Sequence, residues 1–63
     1  MPHVKIELLA GRTDEKKAQL ASEITTAVSK ILGSNSNDVT VVFSDVRPTD
    51  WYIGGRKANS SSG

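Results

Sequence analysis

Polar and apolar residues alternate from Pro2 to Leu9, with Val4, Ile6 and Leu8 on one side and His3, Lys5 and Glu7 on the other. This period of two predicts a strand with one covered face. Pro2 fits the first strand position, where its missing N–H matters least. Gly11 breaks the alternation, and a helical period replaces it. Leu20, Ile24, Ala27, Val28, Ile31 and Leu32, widened by Ala21, recur at three- and four-residue spacings, while Lys17, Ser22, Glu23, Thr26 and Lys30 fall on the polar side. The pattern predicts an amphipathic helix from about Asp14 to Leu32 with that stripe as its core face. Thr13 is a natural N-cap, and Asp14 and Glu15 place negative charge in the first turn, where the macrodipole favours it. Lys16 stands where a capping box would have Glu or Gln, so that motif is half present. Gly33 suits the position just past the helix end.

Ser34 to Asn37 read as a short polar loop, and Asp38 to Val46, rich in Val with Thr40 and Phe43, as a second strand. Strand, helix, strand is a β-α-β unit, whose strands lie parallel with a right-handed crossover. Arg47-Pro48-Thr49-Asp50 is turn chemistry, Trp51-Tyr52-Ile53 a short apolar cluster, and Gly54-Gly55 a tight hairpin turn. Lys57 to Gly63 read as a frayed tail. The expected fold class is α+β: residues 1–63 form one domain, a single β-α-β unit with parallel strands and a short C-terminal hairpin, assembled into an oligomer. One helix covers one face of a two-stranded sheet. The other face, carrying Val42 and Val46 or their neighbours of opposite parity, needs cover from another chain.

Length sharpens that expectation. Sixty-three residues each cost roughly 1–2 kcal/mol of backbone entropy to order, and a buried Leu, Ile or Val returns about 1.5–3 kcal/mol. Domains of this size need disulfides, metals or partner chains. The chain has no Cys and a single histidine, His3, which leaves oligomerisation as the support and no dedicated metal site as the expectation. The net charge is +1 with acids and bases interspersed, unlike the clustered basic face of a nucleic-acid binder. No apolar run approaches a membrane span, and Met1-Pro2-His3 leads straight into strand-like sequence without the regions of a signal peptide. The expected location is the cytoplasm.

The familiar catalytic sets are missing: no Cys–His pair, no phosphate loop, no dinucleotide fingerprint, and too little histidine for a Ser-His-Asp triad. What stands out is Pro2, because initiator methionine is generally removed before a small penultimate residue. Removal leaves a free secondary amine at the head of a strand; while Met1 stays attached, the Pro2 nitrogen is an amide and cannot be a base.

The run Pro2-His3-Val4-Lys5-Ile6-Glu7-Leu8-Leu9-Ala10-Gly11-Arg12-Thr13-Asp14-Glu15 resembles the start of 4-oxalocrotonate tautomerase subunits, in which an N-terminal proline strand precedes Gly-Arg-Ser/Thr-Asp-Glu at the helix opening. The resemblance runs through the helix and second strand to Trp51-Tyr52-Ile53-Gly54-Gly55 and spans about residues 2 to 56. It implies a cofactor-free keto–enol tautomerase acting on a small carboxylate-bearing substrate, with Pro2 as general base. It also implies a homo-oligomer, with a hexamer the expected form. Such a base works best with a pKa near the operating pH. A secondary amine is intrinsically more basic, so the resemblance assigns desolvation by Trp51 and the charge of Arg12 the task of lowering it. It further implies that Arg12, from a neighbouring subunit, grips the substrate carboxylate. Thr40 occupies the position where well-studied members carry a second arginine. A hydroxyl donates one hydrogen bond but lacks the guanidinium charge, so a monocarboxylate such as an aryl enolpyruvate competes with a dicarboxylate as substrate. Arg47 and Arg56 are other candidate cations.

Bland alternatives remain for each position: Pro2 as an edge-strand starter, Arg12 as a solvated residue before the cap, Trp51 as a packing anchor, Thr40 as an ordinary strand residue. Two other functions also remain. One is hydration or dehalogenation of a small unsaturated acid, with Glu7 or Asp50 activating water; the other is a non-catalytic oligomeric binder. The enzymatic readings predict that intact mass spectrometry of the purified protein shows a species lighter by one methionine.

Overall fold

The computed structural model describes residues 1–58. Strand β1 (His3–Leu9) leads into helix α1 (Asp14–Leu32), and strand β2 (Thr40–Val46) returns beside β1 in parallel, pairing His3 with Thr40 and Leu9 with Val46. Strands β3 (Tyr52–Ile53) and β4 (Arg56–Lys57) form a small antiparallel hairpin. The α+β class, the parallel β-α-β unit and the C-terminal hairpin are as the residue pattern predicts. No helix among the described residues is long and apolar enough to cross a membrane.

The helix begins and ends where its caps dictate. The Thr13 side chain accepts the Lys16 N–H at 3.2 Å, satisfying one of the orphan donors of the first turn. At the other end Gly33 takes a left-handed conformation, φ 74°, and donates its N–H to the Ser29 carbonyl at 2.9 Å, a geometry that glycine adopts without a Cβ penalty. In the hairpin, Gly54 and Gly55 both have positive φ (60° and 82°), as a two-residue turn between twisted strands requires.

Three boundaries differ from the sequence reading. β1 starts at His3; Pro2 stands just ahead of it, its carbonyl accepting the Thr40 N–H at 3.0 Å. β2 starts at Thr40 rather than Asp38, because the Asn35 side chain accepts the Asn37 N–H at 2.9 Å and winds Ser36–Asp38 into a 3₁₀ turn. Asn and Asp divert backbone in this way. The hairpin continues past Lys57: Lys57 pairs with Tyr52, and Ala58 donates to the Trp51 carbonyl at 2.7 Å. The rest of the expected tail lies outside the described residues.

The layers follow from parity. Lys17 of α1 reaches Asp45 at 2.7 Å, so α1 covers the sheet face carrying Val4, Ile6, Leu8, Val41, Phe43 and Asp45. The opposite face carries Lys5, Glu7, Leu9, Val42, Ser44 and Val46 and has no second layer. Even the covered side is thin: among the described residues none is buried. The predicted core stripe of α1 splits accordingly. Ala21, Ile24 and Val28 are half-buried, whereas Leu20, Ala27, Ile31 and Leu32 are exposed. Two strands about 4.8 Å apart present less surface than a helix 10–12 Å wide with an apolar stripe of this breadth.

The caps give a stability test. Thr13→Ala should cost about 1 kcal/mol and Gly33→Ala about 1–2 kcal/mol, read by urea unfolding at one fixed protein concentration so that assembly does not shift the midpoint.

Candidate functional site

The parallel sheet has two ends, and the candidate residues divide between them. At the end where both strands begin, Pro2 is half-buried, Met1 is 90% exposed ahead of it, and Thr40 lies alongside. The bond from the Thr40 N–H to the Pro2 carbonyl fixes this pair. At the end where both strands finish, the Ala10 N–H donates to the Val46 carbonyl at 2.9 Å and holds the chain as it turns toward Arg12. Trp51 reaches the same end after a 3₁₀ turn at Pro48–Asp50. The seven residues of β1 separate the two ends by about 20 Å at roughly 3.3 Å per residue. One protomer therefore brings Pro2 together with Thr40, and neither with Arg12 or Trp51.

Arg12 and Trp51 lie on opposite faces of that far end. Arg12 borders a cavity of about 300 Å³ on the helix side, floored by Leu8 and Phe43 and walled by Lys16 and Leu20. Asp45 engages Lys17 through a carboxylate at 2.7 Å, while Arg12 and Lys16 make no ion pair among the described residues. The lining of this cavity thus carries Arg12 and Lys16, a fork and a point charge suited to an anionic group, together with the single carboxylate of Glu23. Lys16 lies one helical turn beyond Arg12, so its nearness was visible in the spacing although the sequence reading did not single it out.

On the opposite face a second cavity, about 270 Å³, is lined by Glu7, Val46, Asp50, Trp51 and Tyr52. Asp50 is tied to Arg47 at 3.0 Å, both side chains well exposed; Glu7 makes no ion pair among the described residues. The indole of Trp51 therefore stands beside two carboxylates. Tyr52, which the sequence reading placed only in an apolar cluster, lines the same cavity; no spacing signal marks it, because the 3₁₀ turn decides its direction. Arg47 is held by Asp50, and Arg56 is exposed in β4. Among the described residues no group of three or more His, Asp or Glu side chains is arranged to hold a metal ion.

A family model described as tautomerase enzyme matches residues 2–59. Over 55 residues the chain is 42% identical to a probable tautomerase of Listeria monocytogenes, which covers 87% of this chain and 90% of that protein. Among solved structures it is similar to a 4-oxalocrotonate tautomerase isozyme of Methylibium petroleiphilum, with a TM-score of 0.87 and 32% identity over 98% of this chain and 100% of the other. It is also similar to a heterohexameric 4-oxalocrotonate tautomerase from Chloroflexus aurantiacus, with a TM-score of 0.86 and 32% identity over 90% and 92% of the two chains.

Proposed function

The chain belongs to the tautomerase family, and on that premise we propose that it is a cytoplasmic, oligomeric, cofactor-free tautomerase interconverting the enol and keto forms of a small 2-oxo acid, with the Pro2 amine as base once Met1 is removed. The observation that carries this reading is the place of Pro2. It stands just ahead of β1, half-buried and anchored through its carbonyl by Thr40, with Met1 before it 90% exposed. After that residue leaves, the nitrogen is a secondary amine on a rigid strand. In ketonisation it accepts the proton of the enol hydroxyl as the carbonyl forms, and the protonated amine returns that proton to a carbon of the conjugated system. A positioned base of this kind contributes about 10²–10⁴-fold.

The rest of the site comes from other copies of the chain. Arg12 and Trp51 lie about 20 Å from Pro2 along the sheet, so a neighbouring subunit supplies the guanidinium that grips the substrate carboxylate and the indole that excludes water. The heterohexameric relative supports an oligomer, and a hexamer is the form we propose. Thr40 beside Pro2 offers the substrate a hydroxyl, not a cation, and Glu7 places a carboxylate, unpaired among the described residues, near Trp51, that of Asp50 being engaged by Arg47. A second substrate carboxylate meets no compensating charge at Thr40 and repulsion near Trp51. The substrate class that fits is an aryl or alkyl enolpyruvate with one carboxylate.

The carboxylates around Trp51 also favour a second reading, hydration of a small unsaturated acid. Glu7 would take a proton from water as its oxygen bonds to the β-carbon, and protonated Pro2 would deliver a proton to the α-carbon.

Ultraviolet absorbance distinguishes these readings. Phenylenolpyruvate should ketonise faster than 2-hydroxymuconate, and Pro2→Ala should lower kcat/KM by about 10²–10⁴-fold. Arg12→Gln should raise KM about tenfold or more, the loss of a charge-assisted hydrogen bond to the carboxylate. Activity on neither enol, in protein shown by mass to lack Met1, would sink the tautomerase proposal. If hydration is the reaction, Glu7→Gln abolishes turnover of an unsaturated acid; a tautomerase keeps its enol activity in that variant.

A further inference from the structure

Between Ala10 and Lys17 the chain is tied to the finish of β2 on both sides of Arg12. Before it, the Ala10 N–H donates to the Val46 carbonyl at 2.9 Å. After it, the Lys17 ammonium donates to the Asp45 carboxylate at 2.7 Å across a sequence separation of 28 residues. Among the described residues this is the only ion pair between α1 and the sheet. The helical period places Lys17 on the polar side, yet its side chain is only 20% exposed, against 43% for Asp45. Lys17 and Arg12 border the same cavity, and Leu8 on its floor is the register partner of Asp45. Asp45 thus brings a carboxylate to the strand end beside Arg12. The other acids are less well placed to compete for the guanidinium. Glu23 lines the cavity but stands roughly 13–14 Å up the helix from Asp14 at 1.5 Å per residue, and it accepts from the Gln19 amide at 3.4 Å. Asp14 and Glu15, both exposed in the first turn, do not line the cavity.

We propose that Lys17 is a positioning residue that occupies Asp45 and so keeps the Arg12 guanidinium open to the substrate carboxylate. The proposal rests on Arg12 as the carboxylate-binding group. A guanidinium forms the same forked pair with a protein carboxylate as with a substrate's. An Arg12–Asp45 pair would therefore imitate the bound state in the empty site, and a substrate would have to displace it. The Lys17 ammonium, a compact charge with three donors, already engages Asp45 and removes that competitor. Arg12 and Lys16 are left as the cations that meet an anion in the cavity. A strut and a mask differ in one respect. Were the ion pair only a strut between α1 and β2, losing either partner would have the same effect. For a mask the partners are unequal, because loss of Lys17 frees a competitor and loss of Asp45 removes it.

Enol turnover and the chemistry of Arg12 itself test this inequality. Lys17→Met, which keeps an unbranched side chain without its charge, should raise KM for phenylenolpyruvate about fivefold with kcat little changed. Asp45→Asn should leave KM near the parent value, and Lys17→Met/Asp45→Asn should restore it. Lys17→Arg, which keeps the ion pair, should behave as the parent. Phenylglyoxal, which modifies free guanidinium groups, reads the same contact without turnover. Mass mapping should show Arg12 modified several-fold more slowly in Lys17→Met than in the parent, and at the parent rate in the double variant. Where no enol is turned over, the tautomerase reading fails and the modification rates alone decide the masking of Asp45. Asp45→Asn as damaging as Lys17→Met, a double variant that stays impaired, or Arg12 modified equally fast in the parent and in Lys17→Met would overturn the proposal.

Discussion

A single helix laid on two parallel strands cannot enclose anything, and that constraint governs this protein. The strands offer one covered face of Val4, Ile6, Leu8, Val41 and Phe43, and α1 roofs it, yet among the described residues none is buried. The layer rule for domains asks each sheet face for a partner. Here the face of Val42 and Val46 has none, both strands are edges, and the hairpin leaves Tyr52 and Ile53 more than half exposed. At roughly 25 cal/mol per Å² of apolar surface removed from water, the protomer forgoes much of the stabilisation its own side chains offer, and association recovers it.

That constraint also separates the chemistry. Parallel strands joined by a helix put both strand starts at one end and both strand finishes at the other, so Pro2 and Thr40 share an end while Arg12 and Trp51 share the opposite one. On the proposed reading, a base at one end and a carboxylate-binding cation at the other become a site only where two copies lie end to end. Folding, assembly and catalysis are in this reading one equilibrium, and any change that loosens the contact between copies lowers activity without touching Pro2. The charges at the far end differ between its faces: Arg12 and Lys16 share the helix-side cavity with Glu23, while Glu7 and the Arg47-paired Asp50 line the cavity of Trp51 on the other.

Local chemistry settled the elements before any coordinates were needed. Thr13 and Gly33 mark the two ends of α1, the alternation of Val4, Ile6 and Leu8 marks β1, and Gly54-Gly55 marks the hairpin turn, each because the relevant physics acts within four residues of chain. The resemblance from Pro2 to Glu15 pointed to the family. Its site roles for Pro2, Arg12, Thr40 and Trp51 depend on distances between chains and stand as proposals. Tertiary structure decided what depends on how much surface the sheet presents and which way each side chain leaves it. The predicted core stripe of α1 was too broad for two strands, and packing divided it into Ala21, Ile24 and Val28 beneath and Leu20, Ala27 and Ile31 outside. Asn35 took Asp38 away from β2 through a side-chain bond that competes with the sheet. The turn at Pro48–Asp50 set Tyr52 beside Trp51, Glu7 and Asp50, a neighbourhood that no periodicity encodes because its members are 43 to 45 residues apart from Glu7 in the chain. A period reports which residues share a face; only the packed fold reports whether that face has anything to meet.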